Sequence, residues 1–245
     1  MNAHTDWARP FFEGKQVSVA GGSSGIGLGL ARAFAEAGAK VVATGGDAAD
    51  VARAGRVAGI EFRVLDVTDA AAVGAFAERF DRLDVLVNCA GINLRQAEFT
   101  PENFDKVLNV NLSGAMRLCA AFRSRLGGGG SILNVASMFA FAGAGHAPAY
   151  AASKGGIAQL TKSLAIAWAA EGIRVNALAP GWIETGMTEA ARADATRNAA
   201  ILSRTPMGRW GQPEDLVGAG LFLCSPLAGF ITGTILPVDG GYLAV

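Results

Sequence analysis

The sequence predicts an α/β fold, a single domain built on a doubly wound parallel sheet with helices on both faces. Three observations predict it. Short β-type runs alternate with helical segments of ten or more residues, the pattern of βαβ units. The strand candidates are apolar nearly throughout, as strands covered on both faces must be. No linker, charge run or repeat divides the 245 residues, and single α/β domains of roughly 200–250 residues are common.

Residues 1–14 read as an N-terminal extension and 15–245 as the folded domain. The extension carries Asp6, Arg9, Pro10 and Glu13 without an apolar core, so it does not read as a signal peptide. Gln16–Ala20 is the first strand candidate, and a helix is expected from Gly25 to Ala37, stopped by Gly38. Lys40–Thr44 and Phe62–Leu65 read as the next two strands. Ala70–Phe80 is helical, with Val73, Phe76, Ala77 and Phe80 on one face. Leu83–Asn88 follows as a strand. Thr100 as N-cap and Pro101 at the first helical position open a helix expected to run unbroken to Arg125. After the glycine loop Gly127–Gly130 comes the strand Ser131–Ala136. Tyr150–Ala170 is helical, with Ile157, Leu160, Leu164 and Trp168 at helical spacing. Arg174–Leu178 and Thr234–Val238 complete the strands. The polar stretch Thr185–Thr205 is expected to be a flap with little regular structure.

Composition excludes several function classes. Lys plus Arg and Asp plus Glu both number 21, which offers no surface for a nucleic acid. Cys89, Cys119 and Cys224 are scattered and include no C-x-x-C pair, so a reducing, cytoplasmic setting is expected and buried apolar roles fit them best. His4 and His146 lack metal-ligand spacing, and no metal site is expected. No run of eighteen apolar residues suggests a membrane span.

The turn after the first strand reads Ala20-Gly21-Gly22-Ser23-Ser24-Gly25-Ile26-Gly27. Glycines there permit a tight turn, close approach of a pyrophosphate and close packing of helix on strand. The helix N-terminus then presents free N–H groups and the positive end of its dipole to phosphate. The next strand runs into Asp47, where a carboxylate would accept ribose hydroxyls and repel a 2′-phosphate. No Arg or Lys occurs at 44–47, so NAD is favoured, with NADP left open. Asp47 equally suits a helix cap. Asp66 and Val67 after the third strand stand where adenine would lie.

Tyr150 and Lys154 are four residues apart on a helix and share a face. A phenol is a poor base at neutral pH, and a neighbouring ammonium is expected to lower its pKa into use. Ser137 closes a strand thirteen residues earlier and supplies a hydroxyl to hold a substrate oxygen where charge develops.

These residues, with Asn88-Cys89-Ala90-Gly91, Asn109-Val110-Asn111 and Pro180-Gly181, resemble the short-chain dehydrogenase/reductase family from about Lys15 to Tyr242. The resemblance implies a Rossmann-type domain that moves a hydride between a nicotinamide cofactor and a secondary alcohol or ketone. It implies a tetrad in which Asn111 holds a water of a proton relay, Ser137 places the substrate, Tyr150 is the acid/base and Lys154 binds the nicotinamide ribose. Asn88, Ala90 and Gly91 would flank the cofactor, and Ile183 and Thr185 would meet its carboxamide. The ending Val238-Asp239-Gly240-Gly241 is similar to the family's oligomer-forming tail and implies a homotetramer. Ala20 and Cys89 stand where the family usually has Thr and Asn.

The segment from Gly91 to Arg95, and the stretches 191–194 and 201–211, look like the sugar-acid members of the family, the gluconate and deoxygluconate dehydrogenases. Arg95 could hold a carboxylate bidentately or lie on the surface. Against a polar sugar stands the apolar run Met138-Phe139-Ala140-Phe141-Ala142. Two other readings stay open: a 3-oxoacyl thioester reductase using NADPH, and a non-catalytic nucleotide-binding protein on the same fold.

Overall fold

The computed structural model describes residues 5–245, so His4 lies outside the described residues. In chain order the elements are α1 Arg9–Phe12, β1 Gln16–Ala20, α2 Gly25–Glu36, β2 Lys40–Gly45, α3 Ala48–Ala54, β3 Ile60–Val64, α4 Ala70–Ala77 and β4 Val85–Asn88. Then follow α5 Pro101–Leu108, α6 Gly114–Leu126, β5 Ser131–Val135, α7 Pro148–Trp168 and β6 Arg174–Pro180. The chain closes with α8 Glu189–Ala193, α9 Ala195–Ser203, α10 Val217–Cys224 and β7 Ile235–Val238.

The seven strands form one sheet in the order β3-β2-β1-β4-β5-β6-β7, and every neighbouring pair is parallel. Strand order reverses between β1 and β4, so a crevice opens beyond their carboxyl ends. The registers Ala20↔Thr44, Ala20↔Asn88 and Asn88↔Asn134 bring the ends of β1, β2, β4 and β5 level along its floor.

Two cores sit on the two faces of the sheet, because alternate strand residues point to opposite sides. Val85, Val87 and Leu133 join Leu30, Phe34 and Leu221 on one side. Leu86 and Ile132 join Leu118, Phe122 and Trp168 on the other.

Three sequence expectations need correction or completion. The helix expected from Pro101 to Arg125 is broken by a π-helical turn at Asn109–Ser113, a local widening often found at functional sites. The expected flap is largely helical, because Asp194 caps α9 by accepting the N–H groups of Thr196 and Arg197, and Ala191, Ile201 and Trp210 make a small core of their own. The N-terminal extension packs into the domain: Ala8 and Phe12 are buried, and the Phe12 ring meets Phe34 edge-on at 5.0 Å.

Candidate active site

The crevice at the strand-order reversal is a cleft of about 760 Å³. Gly21, Ser23, Ser24, Gly25 and Ile26 of the glycine turn line it together with Tyr150, Lys154 and Thr185, and a Cβ on Gly25 would stand 3.1 Å from Thr185 Cγ2. Asp47, Asp66, Val67, Ala90 and Gly91 also line it. Most of the residues singled out in the sequence thus lie along one continuous cavity.

The glycine turn fits an extended dinucleotide with its pyrophosphate at the amino end of α2. Gly21 adopts φ +73°, and a Cβ there would stand 2.5 Å from the Ala90 nitrogen. A Cβ on Gly27 would stand 2.1 Å from the Gly21 carbonyl oxygen, so α2 closes on the turn only with glycine there. Ser24, the residue before α2, makes no side-chain cap bond, which leaves first-turn N–H groups available to an anion.

Tyr150 stands in the first turn of α7, and the Ser137 hydroxyl, just beyond β5, faces its phenol and acts to lower its pKa. Ser137 also accepts the Phe139 N–H at 3.2 Å, which fixes its rotamer. Lys154, one turn further along, is 5% exposed and donates to the Val135 carbonyl at 2.7 Å. Its Nζ lies 5.5 Å from the centroid of the Tyr150 ring. The expectation that this ammonium draws the phenol down is not met in the structure. Burial pushes the Tyr150 phenol up to about 12, more than the Ser137 hydrogen bond offsets. Burial likewise pushes Lys154 down to about 8. At neutral pH the pair is therefore a neutral phenol beside a cation.

The π turn directs Asn111 inward, where it is 2% exposed. Its amide accepts the Ile92 N–H at 2.8 Å and donates to the Ile92 carbonyl and to Ser153 Oγ. Asn111 thereby clips the loop after β4 to α7.

Several expected cofactor residues do not line the cleft. Gly27 lies beneath the glycine turn. The Asn88 amide points into the core, donating to Asn134 Oδ1 and Cys119 Sγ. Pro180 is buried at the end of β6, and a Cβ on Gly181 would stand 2.7 Å from the Asp239 Cα. Ile183 is buried in the core and touches a separate cavity beside Trp182. Arg95 does not line the cleft either; its Nη2 donates to the carbonyl of Met187, which does, at 2.8 Å, so its guanidinium ties two loops together.

Other residues here carried no sequence signal. Arg53 of α3 lines the cleft and pairs with Asp50, which a search confined to 44–47 does not reach. Glu98 is buried and binds three backbone N–H groups beside the site. A lone acidic residue in a polar stretch gives no warning of that. Asp47 Oδ1 accepts the Asp50 N–H at 2.8 Å as the cap of α3, and the residue also lines the cleft.

Residues 20–243 match the family described as Enoyl-(Acyl carrier protein) reductase. The chain is 43% identical over 244 residues to the 2-dehydro-3-deoxy-D-gluconate 5-dehydrogenase of Bacillus subtilis (strain 168), covering 95% of this chain and 96% of that protein. It is 41% identical over 242 residues to a galactitol 2-dehydrogenase (L-tagatose-forming) of Cereibacter sphaeroides, covering 94% and 95%. Among solved structures it is similar to a gluconate 5-dehydrogenase from Burkholderia cenocepacia J2315 in complex with NADP and tartrate, with TM-score 0.90, 35% identity and 100% of each chain covered. The chain belongs to the short-chain dehydrogenase/reductase family and is an NAD(P)-dependent oxidoreductase of CH–OH groups.

Proposed function

We propose that this enzyme interconverts a secondary hydroxyl and a ketone on a sugar acid, with Tyr150 as proton donor and acceptor. The observation that carries this reading is that Tyr150 and Lys154 line the same cleft as the glycine turn, with the Ser137 hydroxyl facing the Tyr150 phenol. When bound, the nicotinamide ring supplies or takes the hydride. Gly21, Ser23, Ser24, Gly25 and Ile26 would hold the pyrophosphate, Asp47 the adenosine ribose, and Asp66 with Val67 the adenine. Ala90 and Gly91 would flank the cofactor, and Thr185 would meet its carboxamide.

In the reducing direction the Tyr150 O–H donates its proton to the substrate oxygen. Ser137 Oγ holds that oxygen by a hydrogen bond that strengthens as negative charge develops. The phenolate left behind is stabilised by the Lys154 ammonium, which the Val135 carbonyl keeps in place. Asn111, carried inward by the π turn, is read as the outer member of the route by which that proton is replaced. In oxidation the same groups run in reverse, the phenolate accepting the hydroxyl proton.

The preferred cofactor in this reading is NAD. The lip formed by β2, α3 and the end of β3 carries the carboxylates of Asp47, Asp50 and Asp66 against the single guanidinium of Arg53, itself paired with Asp50. That balance disfavours a 2′-phosphate. The reading extends to a cytoplasmic homotetramer. Three unpaired thiols fit a reducing compartment, and Met116, Ile166 and Phe230 present apolar side chains outward. No described helix is long and apolar enough to cross a membrane.

The test follows reduced-nicotinamide absorbance over aldonic acids, their oxo forms, hexitols and a 3-oxoacyl thioester, each with NAD and NADP. Turnover of an aldonic or oxo-aldonic acid, fastest with NAD, is expected. Turnover of the thioester alone overturns the reading.

A further inference from the structure

One wall beside Tyr150 carries unusual chemistry. The Phe139 ring is its hub, with centroids 6.4 Å from Tyr150, 6.1 Å from His146 and 6.0 Å from Trp182. Behind that ring Arg197 of α9 places its guanidinium 5.7 Å over Trp182, and its Nη2 lies 3.0 Å from His146 Nε2.

Arg197 forms no ion pair among the described residues. Glu98, the carboxylate that faces His146, makes no ion pair with Arg197, its oxygens accepting the backbone N–H groups of Leu94, Arg95 and Tyr150. The other cation facing His146 is Arg95, whose Nη2 is used at the Met187 carbonyl. His146 is held below its ordinary pKa, first by burial and then by Arg197 and Arg95. It is thus neutral at pH 7, accepting from Arg197 at Nε2 and keeping its remaining ring N–H as a donor. The same wall leaves a donor unmet: Trp182 Nε1 is buried without a partner. A half-buried guanidinium with spare donors and no carboxylate opposite it calls for an anionic, acceptor-rich ligand.

We infer that Arg197, braced by His146 and Trp182, receives the carboxylate of the substrate while Tyr150 meets its reacting hydroxyl. This rests on the sugar-acid reading above and assigns that acid an end. With the Phe139 ring between the two groups, the favoured substrate bears its hydroxyl several carbons from the carboxylate, and 2-hydroxy acids are disfavoured. Arg95 becomes a strap between the loops flanking the cleft, a different task from carboxylate recognition.

The test compares wild type with Arg197→Met, Arg197→Lys and His146→Gln on a six-carbon aldonic acid, measuring KM and kcat for the acid and KM for the cofactor. Removing one charge-assisted contact is expected to raise the acid KM about 10–100-fold. The kcat should change by less than about threefold and the cofactor KM by less than about twofold. Arg197→Lys should recover part of the loss, and His146→Gln should show a smaller rise. An unchanged acid KM in Arg197→Met overturns the inference and leaves the sugar-acid reading standing. Equal rises in the acid and cofactor KM also overturn it, since a general distortion would produce them. A wild type that oxidises hexitols but no acid overturns both.

Discussion

The buried carboxylate of Glu98 accepts the backbone N–H of Tyr150 at 2.9 Å across 52 residues of sequence. Its other oxygen takes the N–H groups of Leu94 and Arg95 at 2.9 and 3.2 Å. One side chain therefore fixes both the first turn of α7, which carries the reacting phenol, and the loop that holds Arg95. In Glu98→Gln an amide N–H₂ replaces one acceptor oxygen, so one of these backbone donors loses its partner. Loss of a buried charge-assisted bond costs about 2 kcal/mol, or a melting temperature lower by about 4–8 °C at this chain length. The kcat should fall with it while the cofactor KM holds. A melting temperature and kcat equal to wild type would remove Glu98 from this role.

Arg95 is the one non-glycine residue at positive φ, 54°, among the described residues. That conformation costs roughly 1 kcal/mol or more for a side chain with a Cβ. Arg95→Gly relieves the strain but cuts the strap to Met187. Its melting temperature should match or exceed that of Arg95→Ala, with substrate KM raised in both. A glycine variant less stable than the alanine variant would show that strain is not stored there.

Alkaline stability follows from the buried thiols. Burial pushes Cys119 and Cys224 up to about 12, and the half-buried Cys89 up to about 11, above the unfolded value of about 8.5. Groups raised on folding contribute stability that is present below the unfolded pKa and lost as pH climbs toward the folded one. Tyr150 acts in the same sense from about 10 up to about 12. Lys154, pushed down to about 8, acts oppositely as pH climbs from there to about 10.4. Four groups outweigh one, so the melting temperature should fall as pH rises above about 9. The double variant Cys119→Ala, Cys224→Ala should start lower and fall less steeply. Parallel slopes would refute the assignment.

Cofactor choice turns on the acidic lip. Asp47→Ala should cut the kcat/KM preference for NAD over NADP by about tenfold, the size of one lost charge-assisted contact. Loss of the α3 cap should cost about 1 kcal/mol alongside it. Asp47→Asn separates the two effects, because it keeps the cap and removes the charge. An Asn variant with wild-type selectivity would confine Asp47 to capping.

Much of this site was legible in the sequence because its chemistry is local. The glycine turn is a contiguous string between a strand and a helix. Tyr150 and Lys154 share a helical face, and Ser137 ends an apolar strand. The inner strands β4 and β5 were legible to within a few residues because full burial makes them largely apolar, whereas the edge strand β3 is half-exposed and carries Glu61 and Arg63. What was not legible depends on distant packing. The π turn at Asn109–Ser113 leaves the helical periodicity of its flanks intact, so the sequence reads as one helix. Helix α10 is apolar enough that no amphipathic period marks it, and Val217, Leu221, Leu223 and Cys224 are all buried. The pKa of Tyr150 was expected to fall on the strength of a neighbouring charge, but burial, which spacing cannot reveal, dominates it. Glu98 reaches Tyr150 and Arg197 reaches His146 only because the fold brings them near.

The central claim is that the Tyr150 phenol moves the proton. Its most direct test is the initial rate of alcohol oxidation from pH 6 to 10, read as reduced-nicotinamide absorbance, for wild type and Tyr150→Phe. With the phenol pushed up to about 12 and Lys154 down to about 8, wild type should gain rate with pH as the phenolate fraction grows, less steeply above about pH 8, where Lys154 loses the charge that stabilises the phenolate. Tyr150→Phe should be slower by about 100-fold or more and should lose the rising limb. A phenylalanine variant that keeps wild-type rate and pH profile would contradict the account.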